Sequence, residues 1–206
     1  RHNVEPGSTF KAVTMLTLLE NNPNMDIEDK LQLGTTDYKV FYRRTMRDSH
    51  RVTDEDGYTT IKNAFEQSSN IAFATLVTEA FEENPQRYID LIYKTKINEP
   101  LNLDIKGEAK PDIKTTKDKR WSKLSLPWMS IGYEVMLTPI QILTFYNAIA
   151  NDGKMVKPML YKGETEVINP QIASKANIDS LQLAMVKVVN EGLGKPAQSD
   201  KVQVAG

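Results

Sequence analysis

The feature that most constrains this chain is a short apolar helix with an unexpected residue at its start. The first sixteen residues read R-H-N-V-E-P-G-S-T-F-K-A-V-T-M-L. Pro6-Gly7 marks a chain reversal, Ser8 stands at an N-cap position, and Ala12 to Leu19 is apolar, which predicts a helix over about Ser8–Glu20. A capping box would place Glu or Gln three residues after the serine. Lys11 stands there instead. A charged lysine in the first turn faces the positive end of the helix dipole, at a cost of about 0.3–1 kcal/mol. Side chains three apart share a helix face, so the Lys11 amine can reach the Ser8 hydroxyl. A buried, neutral lysine is a competent general base, and both desolvation and the dipole favour that neutral form. The helix start also turns the Ser8 backbone N–H toward any oxyanion formed by attack at Ser8. The plainer alternative is an N-capping serine followed by a solvated lysine.

Q-S-S-N at Gln67–Asn70 supplies a second motif where one predicted helix ends and another begins. Ser68 can relay a proton to a leaving amine, and the Asn70 carboxamide can hold a substrate amide and bond to the lysine. Ordinary N-capping by Ser68 or Ser69 is compatible with both roles.

The remaining pattern is helix-rich. Residues 36–46 are β-rich and predict an extended pair or a short strand. Helices are expected over about Thr59–Gln67, Asn70–Glu82, from Asn84-Pro85 to near Lys96, and Asn177–Glu191. Another is expected from Thr138-Pro139 to the N-D-G at Asn151–Gly153, with Pro in its first turn and Gly just past its end. Residues 98–125 are polar, lysine-rich and proline-punctuated, and read as a long irregular connection. Met155–Tyr161 and Thr165–Ile168 suggest a small hairpin. The fold class is therefore α+β and helix-dominated, with no α/β alternation.

Composition narrows the chemistry. With 26 basic and 27 acidic residues the net charge is −1, which gives no global field for nucleic acid or an anionic membrane. Zero cysteines exclude disulfides and thiolate metal sites, and two histidines argue against a histidine-rich metal site. The apolar runs fall far short of the ~20 residues that span a bilayer. The sequence begins at Arg1 rather than Met and is expected to be part of a longer protein.

E-P-G-S-T-F-K followed some sixty residues later by S-S-N resembles the penicillin-binding transpeptidase domains, of the serine acyltransferase superfamily shared with serine β-lactamases. Ser69 holds the middle position of the second motif, as is usual in transpeptidases. The stretch from Trp128 to Pro158 resembles the long core-helix region of that family, with Tyr133-Glu134 in place of a more usual Gln-Gly. V-N-E-G-L-G-K-P-A and V-Q-V-A-G resemble the approach to the third motif, although no K-T-G or K-S-G occurs in the sequence. Glu5 before Pro-Gly-Ser is more like the division-type, class B enzymes.

The resemblance implies that residues 1–206 are a fragment of a single penicillin-binding transpeptidase domain, a partial β-lactamase/D,D-peptidase-like fold with its flanking sheet strands largely missing. It implies a peptidoglycan D,D-transpeptidase with Ser8 as nucleophile, Lys11 as base, Ser68 as proton relay and Asn70 orienting the donor stem peptide, without metal or organic cofactor. β-Lactam antibiotics would acylate Ser8. Cell-division membrane proteins are the implied partners, and the implied place is the periplasmic side of the bacterial inner membrane, held by an N-terminal anchor outside this sequence. The missing third motif would supply an oxyanion donor, a loss of about 10²–10³ in rate, so this piece alone is expected to be impaired. A D,D-carboxypeptidase or β-lactamase, a β-lactam sensor domain and a non-catalytic division scaffold are the alternatives.

Other motifs are weaker. G-L-G-K-P at Gly192–Pro196 lacks the upstream Gly and the Ser/Thr of a phosphate loop. E-P-L-N at Glu99–Asn102 is too short to identify a deacylating loop. Arg43, Arg44, Arg47 and Arg51 are expected to be answered by Asp54, Glu55 and Asp56 on a solvated face. Trp121 and Trp128 are candidates for a groove lining or for core packing.

Overall fold

The computed structural model describes residues 2–206. A 3-10 turn at Gly7–Phe10 runs directly into helix α1 (Lys11–Asn21). Every residue of α1 from Lys11 to Leu19 is buried, which follows from a helix that is apolar nearly all round. The two threonines inside it are satisfied locally. Thr17 donates to Val13 O at 2.8 Å, while Thr14 donates to Ser130 O at 2.8 Å and shares a 2.9 Å bond with the Tyr88 hydroxyl.

Around α1 the chain lays strands β1 (Lys30–Gln32), β2 (Tyr38–Phe41), β3 (Arg44–Arg47) and β4 (Tyr58–Thr60). Helices α2 (Ile61–Glu66), α3 (Asn70–Phe81) and α4 (Pro85–Lys94) follow. Then come β5 (Asp112–Ile113), α5 (Ser125–Met129), β6 (Val135–Met136), α6 (Pro139–Ala150), β7 (Met155–Val156), β8 (Val167–Asn169) and α7 (Lys175–Asn190). α1 packs against α3, α4 and α7, which makes it the axis of the core. Its large side chains Met15, Leu16, Leu18 and Leu19 are fully buried, each contributing roughly 1.5–3 kcal/mol by transfer from water.

The described strands form four antiparallel two-stranded pairs: β1 with β4, β2 with β3, β5 with β6, and β7 with β8. The fold is α+β and helix-dominated. The β2–β3 hairpin turns its Phe41 and Met46 into the core and leaves Tyr38, Val40 and Tyr42 exposed, the period-2 alternation of a half-buried ribbon. Among the described residues no helix is long and apolar enough to cross a membrane.

Several local expectations change. Ser8 is not an N-cap: it lies inside the 3-10 turn, whose preceding residue is Pro6, and no side chain caps that end. The predicted helix at Thr59 starts two residues later, because Tyr58–Thr60 pairs with Lys30–Gln32 before Thr60 caps α2 by accepting from Asn63 N. The connection over residues 98–125 contains one strand, β5, which has a partner only because β6 is brought to it from a distance. The 155–168 hairpin is shorter than expected and carries a register shift between Met155 and Val156. Thr138 caps α6 through a full capping box with Gln141, as Thr138-Pro139 suggested.

Candidate active site

The turn that carries Ser8 is built by close backbone contact. Val4 exchanges hydrogen bonds with Leu137, at 2.9 and 3.0 Å, and Gly7 N donates to Gly132 O at 3.2 Å. A side chain at position 132 would place its Cβ 2.1 Å from Gly7 O, so only glycine lets these segments meet. Gly7 itself takes φ +57°, where a side chain is strained. Thr9 ties the turn together by donating to Pro6 O at 2.8 Å, and the Tyr146 hydroxyl donates to Thr9 O at 3.0 Å. Ser8 is left exposed at the top of a buried helix.

Tyr133-Glu134 sits beside this turn. Glu134 adopts φ +57°, a left-handed conformation that favours glycine. Its backbone N–H donates to Glu5 Oε1 at 3.0 Å, and its carboxylate pairs with the buried Lys114 amine at 2.7 Å, off the hydrogen-bond axis. Of these two contacts only the pairing with Lys114 depends on the Glu134 side chain, since the backbone N–H would reach Glu5 from any residue at this position.

The second motif is a joint between two helices, and each serine has a separate task in it. α2 closes with Ser69 N donating to Ala64 O at 2.8 Å and Ser68 N donating to Phe65 O at 3.0 Å. That is a Schellman ending whose left-handed position is normally glycine. Ser68 occupies it at φ +51°. Holding a serine there costs on the order of 1–3 kcal/mol, so the position retains a side chain against the backbone's preference. Ser69 then caps α3, its hydroxyl accepting from Ala72 N at 3.0 Å. The capping left open between the two serines falls to Ser69.

Both motifs meet at one atom. Lys11 Nζ lies 3.1 Å from Ser8 Oγ, 3.0 Å from Ser68 Oγ, 2.5 Å from Ser68 O and 2.8 Å from Asn70 Oδ1. The lysine is 2% exposed. Burial pushes its amine down from 10.5 to about 8, with the Asp48 carboxylate pulling the other way. At neutral pH roughly a tenth of such an amine is uncharged.

The four partners sort by chemistry. Ser68 O and Asn70 Oδ1 can only accept, so they take the two N–H bonds of a neutral amine. Ser8 and Ser68 carry hydroxyls, which can donate to the remaining lone pair. The arrangement therefore accommodates a neutral lysine with a hydroxyl proton directed at it, and it equally satisfies the three donors of an ammonium. All four residues singled out in the sequence, Ser8, Lys11, Ser68 and Asn70, are brought together.

One residue that the motifs did not flag also belongs here. Asp48 accepts from Ser69 Oγ at 2.6 Å, from Asn70 N at 2.5 Å and from Ile71 N at 3.1 Å. An aspartate after a β-rich segment carries no local signal of contact with a helix twenty residues on.

The weaker motifs resolve as structure. The Gly192–Pro196 stretch packs against α2: Leu193 N donates to Glu66 O at 3.1 Å, and a Cβ at Gly192 would fall 2.4 Å from that oxygen. Glu99 pairs with Lys96 at 3.6 Å. Arg47 pairs with Asp37 at 3.8 Å rather than with the 54–56 acids, of which Asp54 instead accepts from the backbone N–H groups of Asp56 and Tyr58. Trp121 and Trp128 are partly buried and pack on the core. Among the described residues no group of three or more acidic, His or Cys side chains could hold a metal ion.

Known proteins resemble this chain in sequence and in fold. Penicillin-binding protein PbpB of Mycolicibacterium smegmatis is 27% identical over 231 residues, covering 98% of this chain and 32% of that protein. Peptidoglycan D,D-transpeptidase FtsI of Escherichia coli (strain K12) is 26% identical over 151 residues, covering 72% of this chain and 23% of that protein. The chain thus spans about a quarter to a third of the length of these curated relatives. The TP domain of penicillin-binding protein 3 from Burkholderia pseudomallei has the same fold, with a TM-score of 0.83 at 19% identity over 98% of this chain and 59% of that one. The family model for the penicillin-binding protein transpeptidase domain matches residues 1–206, and the chain belongs to that family.

Proposed function

We propose that the protein is a peptidoglycan D,D-transpeptidase that works through a covalent intermediate at Ser8. The observation that carries this reading is the Lys11 amine, buried, lowered to about 8, and shared between the Ser8 and Ser68 hydroxyls at 3.1 and 3.0 Å. Neutral Lys11 removes the Ser8 proton as Oγ attacks the carbonyl between the two terminal D-alanines of a stem peptide. The Ser8 N–H at the helix start faces the developing oxyanion. As the C–N bond breaks, the proton held on Lys11 passes through Ser68 to the departing D-alanine amine. Asn70 keeps one amide proton for the donor peptide. An amine from a neighbouring stem then attacks the ester, its surplus proton leaves through Lys11, and Ser8 Oγ departs reprotonated.

A β-lactam presents a strained amide to the same hydroxyl and is the expected covalent inhibitor. The Glu5-Pro6-Gly7-Ser8 stretch and the relatives named FtsI support a role in septal wall synthesis, at the periplasmic face of the inner membrane and beside division proteins. The test is to incubate the full-length protein with a fluorescent penicillin and map the labelled peptide. Label is expected on Ser8 and is expected to vanish in Ser8→Ala. Label elsewhere, or label that survives Ser8→Ala, would refute the assignment.

A further inference from the structure

The start of α3 is held from outside its own helix. Asp48 follows β3, and its backbone N–H donates to Asp37 O at 2.9 Å, which adds a rung to the hairpin ladder. The hairpin is fixed in turn, by burial of Phe41 and Met46 and by Lys39 Nζ donating to Thr75 Oγ1 of α3 at 3.0 Å. The Asp48 carboxylate is therefore presented to α3 from an anchored backbone. One oxygen takes the Ser69 hydroxyl at 2.6 Å; the other takes the N–H groups of Asn70 and Ile71 at 2.5 and 3.1 Å. Three donors on one carboxylate at a helix N-terminus is a charge-assisted set that the dipole reinforces.

The neighbouring residue settles which way Asn70 points. Asn70 Nδ2 donates to Arg47 O at 2.9 Å. A carboxamide has one donor end and one acceptor end, so fixing the donor end on Arg47 turns Oδ1 toward Lys11, where it lies 2.8 Å from Nζ. The end of one β-hairpin thus sets the orientation of the whole 68–70 turn.

We propose that Asp48 is a positioning residue for acyl transfer, its carboxylate holding the Ser68–Asn70 turn against Lys11. The inference rests on reading Ser8 and Lys11 as nucleophile and base. Asp48 acts through Ser69 and Asn70. Among the described residues, the other groups that face Lys11 are uncharged: Ser8 from the turn before α1, and Ser68 and Asn70 from the α2–α3 joint. Among the described residues, Asp48 is the charge that acts on the amine, favouring its protonated form against desolvation.

Replacing Asp48 by its neutral isostere therefore has two separable effects. Asparagine cannot accept at both ends, so the turn loosens and acylation slows. Loss of the negative charge makes Lys11 easier to deprotonate, so the acid limb of the rate profile moves to lower pH. A purely structural role predicts the opposite or nothing, because an opened site lets water reach Lys11 and moves that limb upward.

The experiment measures acylation of the full-length protein by a fluorescent penicillin between about pH 5 and 10, in wild type, Asp48→Asn and Asp48→Glu. Asp48→Asn is expected to be at least about tenfold slower, with its acid limb displaced downward by about half a pH unit or more. Asp48→Glu keeps the charge but displaces the carboxylate, so it should be slower with the limb unmoved. An Asp48→Asn rate within about twofold of wild type, or a limb that stays or rises, overturns the proposal. Should Asp48→Asn not fold, Asp48→Glu decides alone: a wild-type rate overturns the proposal, and a slower rate at an unmoved limb supports it. Wild type that takes no label at Ser8 is recognisable separately, since it removes the nucleophile and base on which the inference rests.

Discussion

α1 carries the Lys11 amine and the α2–α3 joint carries Ser68 and Asn70 to meet it, but different forces hold the two. α1 is fixed by apolar packing on every side, and its polar side chains are satisfied within the core. The joint is fixed by directed polar contacts, from Asp48, from Arg47 O and from two back-to-back caps, and it carries a strained serine at φ +51°. Packing gives rigidity without direction, which suits a base that must stay dry. Hydrogen bonds give direction, which suits the groups that must face it. A base held in polar contacts alone would be wet and charged, and a relay held by packing alone would have no fixed orientation.

The contrast can be broken at either side. The largest expected effect is on chemistry. Lys11→Met keeps the volume buried and removes the amine, and it should lower acylation of the full-length protein by roughly 10²–10⁴-fold across the pH range. The sign of the pH effect in the parent protein follows from the lowered lysine. The reactive form is the neutral one, so the acylation rate should rise with pH through about 8 and level off above it. A Lys11→Met protein with the parent rate and the parent acid limb would remove Lys11 from the mechanism.

The packing side is tested by Leu16→Ala, which hollows the core one turn beyond the lysine. It should destabilise by about 2–5 kcal/mol in chemical denaturation, while folded molecules still acylate at close to the parent rate. Loss of acylation in molecules that remain folded would show that α1 does more than hold the amine still.

The smallest effect is the most discriminating. Ser68→Gly relieves the left-handed backbone and should stabilise by roughly 1 kcal/mol, while removal of the hydroxyl slows turnover of stem peptide. Stability and activity then move in opposite directions, measurable by thermal melting beside a transpeptidation assay. A Ser68→Gly variant that is less stable and equally active would show that the strain at Ser68 serves no function.

Much of the site was legible because its first half is local. Ser8 and Lys11 sit one helical turn apart, and helix geometry alone brings them together. Ser68, Ser69 and Asn70 stand at a helix joint that the pattern places within two residues. Asp48 was not legible, since its partners are three groups twenty or more residues on, and nothing in a β-rich stretch ending in aspartate specifies them. The division of labour between the two serines was hidden as well, because two adjacent serines at a helix joint can each cap, and only the backbone shows which one is left-handed.

The sequence by itself determined every helix but the short α5, the caps at Thr138 and at the Ser68–Ser69 pair, and the one-turn spacing of hydroxyl and amine, because these depend on hydrogen bonds and side-chain periodicity within a few residues. Tertiary structure decided that the lysine is dry and that its four acceptors converge. It also decided that Ser8 lies in a 3-10 turn pressed against Gly132 rather than at a cap. Desolvation and orientation are properties of what surrounds a group, and around Lys11 that surrounding comes from residues 57 and 59 positions further along the chain.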